Sequence, residues 1–148
     1  MNILITAAAT AQAYHLQRLL NTDDSIYLAD YEELPQVVLK GTKFLKIPSG
    51  NSPSFAHLLL TVCLDNDIEK VFPLRSEEVI ALAEARQLFD EYGIKLMVPD
   101  KSEISSLLNK GLKGRIIIKD DKDQDDLPDR GVFLKDDLSS EFQLFTVS

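Results

Sequence analysis

The side chains best suited to chemistry fall at the ends of three apolar runs. Thr6, Ala7, Ala8 and Gln12 follow Asn2-Ile3-Leu4-Ile5, Asp30 closes Ser25-Ile26-Tyr27-Leu28-Ala29, and Arg75-Ser76-Glu77 follows Val71-Phe72-Pro73-Leu74. Arg75 can pair a carboxylate or a phosphate. Backbone amides near Ser76, at the start of an expected helix, add positive dipole. Asp30 stands where a ribose-binding acid stands in dinucleotide-binding sheets. These eight residues form the candidate lining of a ligand site. Each also has a purely structural use: Ser76 as a helix N-cap, Glu77 as a complement to the dipole, Arg75 as a solvated edge residue and Asp30 as a turn residue.

Other chemistries find fewer residues. His15 and His57 lie on different expected helices and in no two-histidine motif, so no metal site is expected. The one cysteine, Cys63, sits in the apolar run Leu58-Leu59-Leu60-Thr61-Val62-Cys63-Leu64, which suits a buried, inert thiol and excludes an internal disulfide. There is no Gly-x-Ser-x-Gly elbow and no Gly-x-Gly-x-x-Gly after the first strand. A phosphoacceptor receiver would need an acid pair after that strand. No catalytic residue and no cofactor is expected.

The elements that would position these residues alternate regularly. Strands are expected over about 2–6, 25–30, 43–47, 70–74 and 94–98. Helices are expected over 11–21, with Ala13, Leu16 and Leu20 inward, from Pro53 to Asp65, from Ser76 through Val79, Leu82, Ala85 and Phe89 to a stop at Gly93, and over 102–110 before Gly111. Asn21-Thr22-Asp23-Asp24 reads as a turn, and residues 31–42, with Pro35 and Gly41, as irregular chain. Five strand–helix alternations specify a mostly parallel, Rossmann-like sheet in a three-layer α/β/α arrangement. Such sheets bind ligands at the carboxyl edge of the strands.

Residues 115–119, 131–135 and 142–147 are strand-like runs with no helix between them, a short antiparallel meander. The expected division is therefore a Rossmann-like domain over 1–111 and a β-rich extension over 112–148. Between the first two runs lies an acidic loop, Asp120 to Arg130, expected to be solvated.

At 148 residues with a net charge of −8, the chain has room for a full core and repels nucleic acid and anionic membranes. No signal segment precedes Asn2, no apolar run reaches a membrane span, and the cysteine usage fits a reducing compartment, so a cytoplasmic location is expected.

The order of the pieces resembles the pre-ATP-grasp domain, the N-terminal domain of ATP-grasp ligases such as the carbamoyl-phosphate synthase large subunit and biotin carboxylase. The likeness is carried by Asn2-Ile3-Leu4-Ile5-Thr6 with Gln12, and by Asp30. It continues in Lys43-Phe44-Leu45-Lys46-Ile47-Pro48-Ser49 with Pro53-Ser54-Phe55, in Val71-Phe72-Pro73 with Ser76-Glu77-Glu78-Val79, and in Ile94 to Asp100 with Asn109-Lys110. It covers about residues 1–110.

The sequence departs from the family in two ways. The loop Ala7-Ala8-Ala9-Thr10 has no glycine, where a phosphate cradle wants one. The ATP-grasp lobes are absent or reduced to a remnant, Gly114-Arg115-Ile116-Ile117-Ile118-Lys119 and Arg130-Gly131-Val132-Phe133-Leu134, in which Lys119 resembles the lobe's lysine. The resemblance thus implies a stand-alone, non-catalytic binding or assembly module. Two alternatives stay open: an accessory subunit forming the acceptor-substrate side of an ATP-grasp ligase on a separate chain, and a protein binding a small anionic metabolite. The lobes cover one face of this domain in the full enzymes, so an apolar face is expected to be covered here by the C-terminal strands or by a homodimer mate.

Overall fold

Ile3-Leu4-Ile5 has apolar side chains pointing both ways, so it requires cover on both faces, and it finds that cover at the centre of a parallel sheet. In the computed structural model the strands β1 (Asn2–Ile5), β2 (Ser25–Asp30), β3 (Thr42–Lys46), β4 (Lys70–Phe72) and β5 (Lys95–Leu96) lie in the order β3-β2-β1-β4-β5, all parallel. Ile5 pairs with Leu28 on one side and Phe72 on the other. The strand order reverses between β1 and β4, which opens the carboxyl edge there. The structure describes residues 1–20, 23–33, 42–108, 110–122 and 124–147. The expected turn residues Asn21 and Thr22, Pro35 and Gly41, Asn109 and Asp123 lie outside the described residues.

The helices are α1 (Ala11–Leu19), α2 (Phe55–Asp65), α3 (Ser76–Glu84), α4 (Arg86–Glu91) and α5 (Lys101–Leu107). Right-handed crossovers send α1 to one face and α2 and α3 to the other. Leu4, Tyr27, Val71 and Leu96 accordingly share a core with Phe55, Leu59, Val79, Leu82, Phe89 and Ile104. Ile3, Ile5, Ile26, Leu28, Phe72 and Met97 share the opposite core with Ala13 and Leu16 of α1.

One helix cannot cover that second face. The remainder is covered by a three-stranded antiparallel sheet, β6 (Arg115–Lys119), β7 (Gly131–Lys135) and β8 (Phe142–Leu144), in that order. Val132 and Phe145 complete the core, with Ile116, Ile118, Leu134 and Val147 packed against it. Phe133 and Leu144 join the opposite cluster with Ile104 and Leu107 of α5. The C-terminal strands, expected as one of two covers for an apolar face, supply that cover. The outer layer is therefore part helix and part sheet.

Several boundaries differ from expectation. The helix expected from Ser76 to Gly93 is two helices. At Ala85 the N–H bonds the Leu82 carbonyl at 2.9 Å, a tighter turn than the α-helix, before α4 begins. Gly93 does follow it with φ 75, as a C′ residue should. Pro53 lies in a turn before α2 rather than in its first helical turn. The last helix ends at Leu107, because Gln143 Oε1 accepts the N–H groups of Lys110 at 2.8 Å and Leu112 at 3.0 Å. The final strand stops at Leu144, and the chain then leaves its own sheet so that the Val147 N–H reaches the Leu74 carbonyl at 2.6 Å.

The acidic loop is exposed over Asp121 and from Gln124 to Asp126, as a solvated loop should be, but three of its carboxylates are also paired. Asp120 takes Lys70 at 2.6 Å and also Lys95, Asp125 takes the buried Lys119 at 2.8 Å, and Asp129 takes Arg86 at 2.7 Å. Burial alone would raise the Asp120 pKa. The Lys70 and Lys95 hydrogen bonds outweigh it and hold the carboxyl below its ordinary value. No helix among the described residues is long and apolar enough to cross a membrane.

Candidate functional site

The carboxyl edge is built first by the loop that follows β1. The Thr6 N–H bonds the Phe72 carbonyl at 3.1 Å, continuing the β1–β4 pairing by one residue. Ala7 then turns with φ 57, a left-handed conformation that costs a residue with a Cβ about 1–2 kcal/mol. Its methyl is fully buried. Thr10 ends the loop as the N-cap of α1, with Oγ1 accepting the Ala13 N–H at 3.4 Å and donating to the Ala7 carbonyl at 2.7 Å.

Asp30 and Arg75 close over that loop. Asp30 is fully buried at the end of β2. Arg75 Nη2 donates to both of its oxygens at 3.1 Å. The same carboxylate accepts the N–H of Ala9 at 3.2 Å, of Tyr31 at 2.8 Å and of Glu32 at 3.4 Å. The guanidinium lies over the Tyr31 ring, 4.8 Å from its centroid, with Glu32 at 3.9 Å. Burial disfavours its charge, but the hydrogen bond and charge of Asp30 prevail and raise its pKa.

Behind this pair lies Glu78, also fully buried. Its Oε1 accepts from Thr6 Oγ1 at 2.5 Å and from the Arg75 N–H at 3.3 Å. Thr6 Oγ1 in turn accepts the Leu74 N–H at 2.7 Å. Glu78 Oε2 and Arg75 Nε are buried with no hydrogen-bond partner among the described residues. Desolvation pushes the Glu78 carboxyl up to about 7, against the pull of Thr6 and Arg75. Gly50 seals the far side: a Cβ there would stand 2.8 Å from the Glu78 backbone nitrogen and from its Cγ.

Of the eight expected lining residues, the structure joins Thr6, Ala7, Ala8, Asp30 and Arg75 in one bonded unit, with Ala8 donating to the Ala29 carbonyl at 3.1 Å. Gln12, Ser76 and Glu77 are half-buried nearby and make no side-chain hydrogen bond among the described residues. Ser76 is not the N-cap. Arg75 holds that position with extended backbone, and Glu78 at N3 bonds its N–H. The reciprocal bond of a capping box is missing, because a guanidinium has no acceptor. Sequence reading missed Glu78, Gly50 and Tyr31.

Lys119 is bound to Asp125 and stands on β6, outside this unit. His15 and His57 are exposed on separate helices, and no cluster of metal-ligating side chains occurs among the described residues. Cys63 is buried, and desolvation pushes its thiol up to about 12, which makes it unreactive at neutral pH.

Solved structures of dehydrogenases are among those similar to this chain. A mutated uronate dehydrogenase is 12% identical with a TM-score of 0.49, covering 87% of this chain and 46% of that one. A short chain dehydrogenase family protein from Francisella tularensis subsp. tularensis SCHU S4 is 14% identical with a TM-score of 0.42, covering 67% of this chain and 48% of that one. The chain thus spans under half the length of either. No curated protein sequence matches it. The model of the PylC-like, N-terminal domain family matches residues 3–97, nearly all of the parallel sheet and its helices, and with it the chain belongs to that family of pre-ATP-grasp-like domains.

Proposed function

We propose that this pre-ATP-grasp-like domain is a non-catalytic binding or assembly module, with its carboxyl edge closed to nucleotides by its own side chains. The supporting observation is the saturation of Asp30. The acid placed to read a ribose accepts from Arg75 and from three backbone amides, among them Ala9 of the loop that would cradle phosphate. The loop takes its left-handed turn with an alanine rather than a glycine, and the alanine methyl is buried in the core with Ile3 and Ile5. Lys119, which resembles an ATP-binding lysine, is buried and paired with Asp125. A small anion at Arg75 would have to displace Asp30 and face Glu32 as well.

The test is calorimetric titration and thermal melting of the pure protein with ATP, ADP and NADH, plus an assay for ATP hydrolysis. The expected result is no heat, no shift and no turnover; a ligand at a hundred times its Kd would add about 2.7 kcal/mol of stability. ATP-dependent turnover abolished by Lys119→Ala would overturn the proposal. A nucleotide-dependent shift lost in Asp30→Ala would overturn the closed edge.

A further inference from the structure

A second surface lies along the C-terminal half of α1, beside β6. The outward side of α1 carries Tyr14 at 57% exposure and Leu19 at 55%, a poor choice for a helix that simply faces water. His15, Arg18 and Leu19 form one wall of a groove of about 320 Å³, and Ile116 of the edge strand β6 forms the other. Arg18 makes no ion pair among the described residues, and its guanidinium stacks 5.8 Å from the Tyr14 ring centroid. The groove therefore sets the apolar Leu19 and Ile116 beside Arg18, a cation with no ion pair among the described residues, in a chain of net charge −8.

Its complement is on the same chain. The β7–β8 turn presents Leu138 at 98% exposure, flanked by Asp136, Asp137 and Glu141. That turn is held in shape. The Asp136 N–H bonds the Glu141 carbonyl at 3.0 Å, Asp136 Oδ1 accepts the Leu138 N–H at 2.9 Å, and Ser139 Oγ accepts the Glu141 N–H at 3.2 Å. Arg115 Nε, one residue before Ile116, donates to Asp137 at 2.9 Å and pins the turn beside the groove. An apolar tip flanked by the carboxylates of Asp136 and Glu141 matches, in sign, apolar walls flanked by Arg18.

We infer that two copies of this chain pair about a twofold axis, the Leu138 turn of each seated in the α1–β6 groove of the other. Knob and groove are neighbours through Arg115 and Ile116, so one axis can satisfy both contacts at once, which is the condition for a closed rather than a growing assembly. The inference deepens the assembly part of the reading above and names the partner. The groove residues are on the C-terminal half of α1, the end away from Thr10 and the carboxyl edge.

Sedimentation equilibrium of the full chain, with Leu138→Asp and Arg18→Glu, tests it. Both positions are exposed, and circular dichroism checks that both variants stay folded. The wild type should be a dimer, and each variant should raise its dissociation constant about thirtyfold, the scale of a central interface residue. A monomeric wild type, a dimer indifferent to either substitution, or mass that grows beyond two copies would each overturn the inference. None of these outcomes touches nucleotide binding, so the closed carboxyl edge stands or falls separately.

Discussion

Arg75 and Asp30 meet across β1: Asp30 ends β2, Arg75 follows β4, and their side chains, 45 residues apart in sequence, join 3.1 Å apart over the loop that β1 leads into. The switch in strand order, which in doubly wound sheets opens a crevice, is here bridged by an ion pair.

Breaking that bridge should be costly from either side. Arg75→Met leaves Asp30 buried with backbone donors alone and should destabilise by about 3 kcal/mol. Asp30→Asn turns an amide donor toward a guanidinium and should cost about 2 kcal/mol. Urea denaturation of both variants and the double variant should give a coupling of about 1–3 kcal/mol, and a coupling near zero would show that the two side chains do not act as a clamp.

Glu78 should make the fold less stable as pH rises. Its carboxyl is raised in the folded state, so the folded chain holds the proton more tightly than the unfolded one. Stability should fall between about pH 4.5 and pH 7 and level off above. The drop should be on the order of 3 kcal/mol. Glu78→Gln should flatten this slope and be more stable than the wild type at pH 8 (about one unit past the folded value). Denaturation midpoints across that range check it.

Asp120 carries the opposite sign. Its folded pKa is lowered, so its contribution is present above the unfolded carboxyl range and is lost as pH falls through the folded value. Asp120→Asn should leave Lys70 and Lys95 without their shared carboxylate and, because that carboxylate is half exposed and screened by solvent, cost about 1 kcal/mol or less at neutral pH. The cost should shrink toward zero in acid, as melting of the variant and the wild type from pH 7 downward would reveal.

Gly114→Ala should loosen the small sheet. A Cβ there would fall 1.9 Å from the Lys135 carbonyl oxygen, so β6 and β7 cannot keep their spacing. We expect a loss of about 3 kcal/mol and a rise in binding of an apolar dye, since Phe72, Leu74 and Met97 lose cover. Unchanged dye binding and an unchanged melting temperature would show that the backbone gives way there at no cost.

The parallel sheet was legible because its residues are apolar for two faces at once. Ile3 and Ile5 serve one core and Leu4 the other, which only a central strand permits. The small sheet was legible for the same reason in Ile116-Ile117-Ile118. Glu78 was not, because next to Ser76 and Glu77 it reads as another first-turn acid. Thr6 and Gly50, 72 and 28 residues away, are what turn it into a buried carboxyl. The ion pairs of the acidic loop were not legible because its partners Lys70, Lys95 and Arg86 come from the starts of strands and a helix distant in sequence. Arg75 carries both a cap position and an ion pair, and only the topology brings Asp30 to it.

The bond between the Val147 N–H and the Leu74 carbonyl has a consequence for biosynthesis. A nascent polypeptide that has left the ribosome as far as Met97 already owns every parallel strand, yet Phe72, Leu74 and Met97 still lack their last neighbours Val132 and Phe145. Folding must wait for pairings of high contact order, and the waiting intermediate is sticky in the meantime.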